Sequence, residues 1–247
     1  MLQLEQIVTQ ECNWSSIDRQ SLYSYFYSLN NKVVGKSLTT DQIHRHISRH
    51  VKKVMPVRIK KHIDAKILMG HIFTGGVYYS DYDKKSKPAI EINFSYHPDD
   101  STLKLTEYRW RKMSIRFADV ILHEMIHMRQ FRARNFKNIP GYQSTVANTK
   151  DRKQQEYLGD RDEMGAFAFN IACEMIDRFS YDPKVISQYM DTNGATRHKN
   201  SWWYSYLKAF DFNHNHPIIR RMKHKVLRQL ENAHIGKPFR TTDWLTY

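Results

Sequence analysis

The stretch that most constrains this chain is His123-Glu124-Met125-Ile126-His127. Residues four apart lie one above the other on a helix, so His123 and His127 can offer two imidazole nitrogens to one metal ion. Zinc suits such ligands, and its catalytic sites have three protein ligands and a fourth position open to water. Glu124 stands beside the first histidine, where its carboxylate can take a proton from that water. The spacing therefore predicts a zinc site with Glu124 as its base.

The sequence around this motif predicts a long and largely buried helix. No Gly or Pro occurs between Pro98 and Pro140, and apolar residues recur at helical spacing from Met113 to Phe131. Histidines on a buried helix need polar partners or a metal. The context therefore favours a metal site over a chance match to the motif.

A third ligand is expected further along the chain, and Glu163 is the preferred candidate. It opens a second predicted helix, which runs from Asp160 to about Phe179. The same residues fit a capping box with Asp160 as N-cap and Glu163 at N3, so capping alone would explain a carboxylate there. Ligation is preferred because the motif otherwise lacks a third ligand. The alternative ligands are Glu156, Asp160, Asp162 and Glu174.

His123-Glu124-x-x-His127, followed by Glu163-Met164-Gly165-Ala166, resembles the zincin metallopeptidases of the gluzincin kind. The run Tyr157–Glu163 also resembles small metallopeptidase-like proteins encoded by tailed phages. The resemblance covers about residues 66 to 179. It departs from thermolysin-like peptidases in a longer spacer and in Asp162, where those peptidases often have Asn. No His follows at the short spacing that is typical of metzincins.

The resemblance implies zinc-dependent hydrolysis of peptide bonds in a protein or peptide substrate. His123, His127 and Glu163 would hold Zn²⁺, and Glu124 would act as general base. SprT-like peptidases, which act on proteins attached to DNA, are one alternative, although their third ligand is a histidine. A non-catalytic nucleic-acid-binding protein with a structural metal is another, and its metal would have a closed coordination sphere.

The predicted fold class is α+β and zincin-like, with a small antiparallel sheet packed on the two motif helices. One domain is expected over residues 1–247, with a core at about 66–179 and helical extensions at 1–64 and 180–247. Asn135–Glu156 is expected to be a loop between the motif helices.

Three stretches are predicted to supply the strands: Lys66–Met69, Gly76–Tyr79 and Ala89–Phe94. The last alternates apolar and polar residues, which is typical of a half-buried strand. The resemblance makes it the edge strand above the metal helix, where free backbone groups would pair with an extended peptide.

Local signals outside this core predict further helices. Capping boxes are expected at Ser15–Asp18 and Thr39–Gln42, and Pro217 is expected in the first turn of a later helix. The aromatic cluster Trp202–Tyr206 is interpreted as core.

The chain is strongly basic, with a formal charge of +14 and a pI near 9.7. Such a charge favours acidic partners, and nucleic acid is predicted as an additional one, with an ordinary basic surface as the alternative. His46 and His50 are also four apart, but no acid is placed as Glu124 is, and they are interpreted as part of a solvated basic face. The residues predicted to form this face are Arg45, Arg49, Lys52, Lys53, Lys60 and Lys61.

Cys12 and Cys173 are the two cysteines, too few for a Cys-rich zinc site and in keeping with a reducing compartment. The first residues show no basic segment followed by an apolar run, so no signal peptide is expected. No stretch has the length of a transmembrane helix. A cytoplasmic location, in the host for a phage-encoded protein, and no membrane partner are therefore expected.

Overall fold

The structure of the protein, a computed structural model, describes residues 17–52, 57–199 and 201–230. The chain divides into two compact units, Met1–Phe136 and Lys137–Tyr247. The described residues form helices and two small sheets, so the chain is a mixed α and β protein, which is consistent with the predicted α+β class. The zincin-like identity and the single domain stay predictions.

The first unit holds the histidine motif on its last and longest helix. In chain order its elements are α1 (Arg19–Tyr27), α2 (Asn30–Val33), β1 (Ser37–Thr39), α3 (Thr40–Lys52), β2 (Val57–Ile63), β3 (Ile72–Tyr78), α4 (Ser80–Asp83), β4 (Ile90–Tyr96), β5 (Thr102–Lys104) and α5 (Glu107–Ala133). The side chain of Thr106 caps α5 by accepting a hydrogen bond from the Arg109 amide at 3.2 Å. The long buried helix predicted around the motif is confirmed.

The three-stranded sheet has β4 in the middle, β2 parallel to it and β3 antiparallel to it. The prediction of an antiparallel sheet was therefore wrong, since the sheet is mixed. The strand predicted at Ala89–Phe94 is confirmed as β4, whereas its half-buried character and its edge position were wrong. β4 lies between two strands, so the edges of the sheet belong to β2 and β3, and all side chains of β4 except that of Asn93 are buried.

The prediction that residues 1–64 are helical was wrong at β1 and β2. β2 alternates as a strand should, but Lys61 occupies a position in the row of Val57 and Ile59, where an apolar residue is expected. Its ammonium group pairs with Asp41 on α3 and so keeps its charge.

The strand predicted at Lys66–Met69 was wrong as well, because this apolar run forms turns. The amide of Ile67 donates to the carbonyl of Asp64, and the amide of His71 donates to that of Leu68. Leu68 and Met69 are left exposed.

One face of the sheet packs on α3 and α5, while α1 packs along α5. The rings of Phe26 and Phe117 stack there at 4.9 Å between centroids. Beside them Arg19 forms a two-point ion pair with Asp119, with Nε–Oδ1 at 2.6 Å and Nη2–Oδ2 at 3.2 Å. The Arg19 side chain is only 2% exposed, so this carboxylate helps to compensate the loss of water around a buried charge.

Replacing Asp119 by Ala is expected to lower the free energy of unfolding by about 3 kcal/mol, because a buried guanidinium loses its carboxylate. Asp81→Ala is the matched control, since Asp81 pairs with Lys84 at 3.3 Å on an exposed surface. The control is expected to cost less than about 1 kcal/mol. Urea denaturation measures both, and equal losses would contradict this reading of the Arg19 ion pair.

The second unit is helical in its described residues. Its elements are α6 (Thr149–Gly159), α7 (Arg161–Phe179), α8 (Pro183–Asp191), a 3₁₀ turn (Asn193–Arg197), α9 (Trp202–Ala209) and α10 (Pro217–Gln229). α9 and α10 both pack on α7, the predicted second motif helix, which is confirmed. None of the described helices combines the length and apolar character needed to cross a membrane.

The loop predicted at Asn135–Glu156 was wrong at its end, where α6 begins. Asn148 caps this helix by accepting hydrogen bonds from the amides of Lys150 and Asp151. The helix was missed because it is mostly polar and buries little more than Gln155 and Leu158 before Gly159.

Several local predictions are confirmed. The Thr39–Gln42 capping box forms in both directions, with bonds of 2.8 and 3.1 Å. The Ser15–Asp18 box was wrong in register, because Asp18 is itself the N-cap of α1, and Ser15 lies outside the described residues. In the second unit, Pro217 starts α10, and the cluster Trp202–Tyr206 contributes to the core through Trp203 and Tyr206.

Candidate metal centre

His123 and His127 lie one turn apart on α5, and each is only 8% exposed. Their Nε2 atoms are 3.2 Å apart, and their ring planes are inclined at 73°. Two ligands held about 2.0–2.1 Å from one tetrahedral zinc ion are about 3.3 Å apart. The spacing of the two nitrogens therefore fits a shared ion.

One group of His, Cys, Asp or Glu side chains in the described part of the chain could hold a metal ion, and it consists of His123, His127 and Glu163. Each residue offers one ligand atom, and these atoms lie within 4.8 Å of one another. Nitrogen and carboxylate oxygen ligands of this kind are those of catalytic zinc sites. The grouping is the one preferred from the sequence.

The start of α7 bears on whether Glu163 serves only as a cap. Asp160 is the N-cap, and its Oδ1 accepts from the amides of Asp162 at 2.8 Å and Glu163 at 3.4 Å. The amide of Asp160 itself donates to the carbonyl of Tyr157. Because that amide has a backbone acceptor, the helix does not need the Glu163 carboxylate to complete a capping box.

The alternative ligands fall outside the group of three. Asp160 is occupied as a cap, and Glu174 accepts hydrogen bonds from the Trp202 amide at 2.8 Å and from Nε of Arg178 at 3.1 Å. Glu156 and Asp162 belong to no such group among the residues that the structure describes.

Burial raises the pKa of Glu174 to about 7, against the opposing effects of Arg178 and the Trp202 amide. A carboxyl whose pKa is higher in the folded state stabilises the fold at low pH and loses that contribution as pH rises. The free energy of unfolding is expected to fall between about pH 4.5 and pH 7, by at most about 3 kcal/mol. Denaturant titrations across this range should show the decline in the wild type and a weaker one in Glu174→Gln; identical slopes would contradict it.

Gln130 is a residue of this centre that sequence reasoning missed. Its Oε1 lies 3.2 Å from Nδ1 of His127. When the amide oxygen accepts the Nδ1 proton, Nε2 keeps the lone pair that a metal needs, and the ring is held in orientation. The available signal was position, since Gln130 follows His127 by three residues on one helix.

Gly76 was also missed, and it allows β3 to lie directly against the side chain of Glu124. A Cβ atom at Gly76 would lie 2.6 Å from Oε1 of Glu124 and 2.7 Å from Cγ1 of Val120. These distances are too short for any side chain, so the strand approaches α5 this closely only because residue 76 is glycine. The contact confines Glu124, which is 5% exposed.

Gly76→Ala is expected to lower the free energy of unfolding by about 1–3 kcal/mol, because the new methyl group meets atoms on a buried helix. Gly75→Ala is the matched control, since its Cβ would lie 3.6 Å from Cε1 of Phe73, an ordinary contact. That change is expected to be neutral or to stabilise by up to about 1 kcal/mol. Thermal or urea unfolding separates the two, and a Gly76 variant as stable as the control would contradict the close approach.

Beyond Gly76, the end of β3 is fastened to α5. The hydroxyl of Tyr78 donates to Asp83 at 2.8 Å, and Nε of Arg132 donates to the same carboxylate at 2.7 Å. Burial, together with the hydrogen bond to Asp83, raises the pKa of Tyr78, so the phenol stays protonated and remains a donor. The ring of Tyr78 also packs on Phe131 of α5.

The predicted basic face is only partly available to an acidic partner. Lys61 pairs with Asp41, and Lys60 lies 3.7 Å from Glu91. The side chain of His50 is engaged within the protein, since its ring stacks on Tyr25 at 3.9 Å and contacts the Tyr25 carbonyl. Arg45, Arg49 and Lys52 are exposed on α3, while Lys53 lies outside the described residues. Nucleic-acid binding stays a prediction.

A scan against protein-family models, a search of curated proteins and a search of solved structures each return no match.

Proposed function

We propose that this protein is a zinc-dependent metallopeptidase of the gluzincin kind. The observation that carries the proposal is the grouping of His123, His127 and Glu163, with two imidazole nitrogens 3.2 Å apart and all three ligand atoms within 4.8 Å. Two neutral imidazoles and one carboxylate match the His₂Glu donor set of catalytic zinc sites. A glutamate in third position distinguishes this set from that of SprT-like peptidases.

Zinc bound by these residues would polarise the scissile carbonyl and lower the pKa of a water molecule. Glu124 is the group that takes the proton of the attacking water and passes it to the leaving amine. Its carboxylate suits this task because the strand at Gly76 limits its movement and the site is largely shielded from solvent. Gln130 positions His127 through the Nδ1 contact.

The edge strand β3 supports peptide as the substrate class. β3 is antiparallel to its neighbour and packs on the motif helix. An edge strand offers unpaired backbone amides and carbonyls, which an extended peptide can match. We therefore assign the pairing with an extended peptide, which was expected for Ala89–Phe94, to Ile72–Tyr78.

A direct experiment is to load the purified protein with one equivalent of zinc and incubate it with an unfolded protein such as reduced, alkylated serum albumin. New peptide termini, detected by mass spectrometry, are expected with zinc and absent after chelation and in Glu124→Gln. A protein that holds zinc at one per chain but cleaves neither this substrate nor a mixed-sequence peptide library would overturn the proposal in favour of a structural metal.

A further inference from the structure

The three-stranded sheet has an outer face, which lies away from α3 and α5. Gly76 of β3 meets Glu124 of α5 on the inner face. On that inner face the ring of Phe94 from β4 also lies 6.1 Å from the ring of His44 from α3. Because neighbouring residues on a strand alternate between faces, the residues between the inward-facing ones form the outer face. They are Arg58, Lys60 and His62 on β2, Glu91, Asn93 and Ser95 on β4, and Phe73, Gly75 and Val77 on β3.

The outer face consists of three rows that differ in chemistry. β2 contributes a basic row, β4 a polar row, and β3 an apolar row in which Gly75 separates Phe73 from Val77. The rows are in register, since Lys60, Asn93 and Gly75 lie side by side across the three strands. Neighbouring strands are about 4.8 Å apart, so the basic and apolar rows run about 10 Å from each other. A single extended ligand can therefore contact both rows at once.

The basic row keeps a positive charge in spite of Glu91. This carboxylate lies 3.5 Å from Nη2 of Arg58 and 3.7 Å from Nζ of Lys60, and it accepts a hydrogen bond from the Tyr79 hydroxyl at 3.2 Å. One carboxylate balances only one of the two cations, and ion pairs of this kind on a surface contribute little. The side chains of Arg58 and Lys60 are 43% and 63% exposed, so both are open to an anionic partner.

Flat surfaces lie next to the basic row. The ring of Phe73 is exposed, and its Cε1 lies 3.6 Å from the position of a Cβ at Gly75, so no side chain at residue 75 covers it. Further along the face, the guanidinium group of Arg58 lies over the ring of Tyr82, 4.9 Å from its centroid. Aromatic rings and guanidinium planes are both surfaces on which an unpaired nucleic-acid base stacks.

We propose that the outer face binds single-stranded nucleic acid, with Arg58 and Lys60 on its phosphates and a base stacked on Phe73. Proteins that bind single strands combine a basic surface that follows the backbone with aromatic side chains on which bases stack. A duplex keeps its bases stacked on one another, and an acidic peptide has no bases, so a single strand fits both rows best. The inference does not depend on the metal centre, and it places nucleic acid on the sheet instead of on α3.

The first test measures the affinity of the whole chain for fluorescein-labelled oligo(dT) and oligo(U) by fluorescence anisotropy. An abasic oligomer of the same length has the same phosphates without bases. The better of the two base-containing strands is expected to bind about fivefold or more tightly than the abasic oligomer, because a stacked base adds to the affinity. Phe73→Ser should remove most of this gain. Val185→Ser is the control, since Val185 is an exposed apolar residue on α8 and its loss should preserve the gain.

The second test measures how the affinity for the same strand depends on salt. Lys60→Gln should lower the slope of log affinity against log salt by about 0.7, the contribution of one neutralised phosphate on a single strand. Phe73→Ser should leave this slope unchanged, because it removes no charge. Lys61→Gln is the matched control for Lys60, since Lys61 is the next residue on β2, faces the other side of the sheet and pairs with Asp41. Its slope should equal that of the wild type.

Equal affinity for the abasic oligomer and for both base-containing strands, or a gain that survives Phe73→Ser, would overturn the inference. Equal losses of slope in Lys60→Gln and Lys61→Gln would also overturn it, because binding would then follow the general charge of the chain. Arg49→Gln provides a further check, since a larger loss of affinity there than in Lys60→Gln would move the binding site to α3 and contradict the inference. Sedimentation that shows a dimer lost in Phe73→Ser would contradict it too, since the outer face would then bind a second copy of the chain.

Discussion

Glu124→Gln is expected to lower kcat/KM for peptide hydrolysis by about 100- to 10,000-fold, the range that a positioned general base contributes. Glutamine keeps the shape of the side chain next to Gly76 but cannot accept a proton from water at neutral pH. Zinc stoichiometry and the unfolding midpoint should stay close to those of the wild type. Cleavage of a quenched fluorescent peptide at fixed zinc concentration measures the change.

The control for Glu124→Gln is Glu107→Gln, the same substitution at the exposed first turn of α5, where Glu107 accepts a hydrogen bond from Tyr27. It should leave kcat/KM within about twofold, because it lies in the capping turn away from the motif. If kcat/KM of Glu124→Gln falls by less than tenfold while zinc stays bound, Glu124 is not the general base.

Glu163→Gln is expected to weaken zinc binding by about 100-fold or more, because a neutral amide replaces the only anionic ligand. Loss of a residue that merely orients a ligand costs about 10- to 100-fold in metal affinity, so Gln130→Ala should fall in that lower range. Competition with a fluorescent zinc chelator measures both affinities. The comparison ranks direct ligation by Glu163 above the indirect role of Gln130.

Asp160→Ala serves as the capping control for Glu163. Loss of the N-cap should cost about 1 kcal/mol in the free energy of unfolding, with a smaller effect on zinc than Glu163→Gln. If Glu163→Gln instead leaves zinc affinity unchanged and costs about 1 kcal/mol or less of stability, Glu163 is a capping residue, because glutamine also serves at N3 of a capping box. The third ligand must then be sought among Glu156, Asp160, Asp162 and Glu174.

The motif helices were predictable because their signals are local. The first helix is indicated by two histidines four residues apart in a long apolar stretch, and the second by an Asp at its N-cap. Both signals involve only residues that are close in sequence. The same holds for the Thr39–Gln42 box and for Pro217.

The sheet was less predictable because strand order depends on contacts between distant residues. Ile90–Tyr96 shows alternation, yet only its pairing with β2 and β3 on both sides makes it the central strand. β2 was not recognised as a strand because Lys61 interrupts its apolar alternation. The carboxylate that pairs with Lys61 belongs to Asp41, on another element, so the local sequence does not show it. Gly76 gave no sign of its contact with Glu124, since a glycine in a strand indicates close approach without naming the neighbour.

Zinc titration of four proteins tests the metal centre most directly. The wild type and Glu124→Gln are expected to bind one zinc ion per chain after chelator treatment and dialysis, as measured by calorimetry and elemental analysis. His123→Ala and His127→Ala should each lose stoichiometric binding, because each removes one of the three ligands. A wild type that binds no zinc, or histidine variants that bind it with unchanged affinity, would contradict the claim.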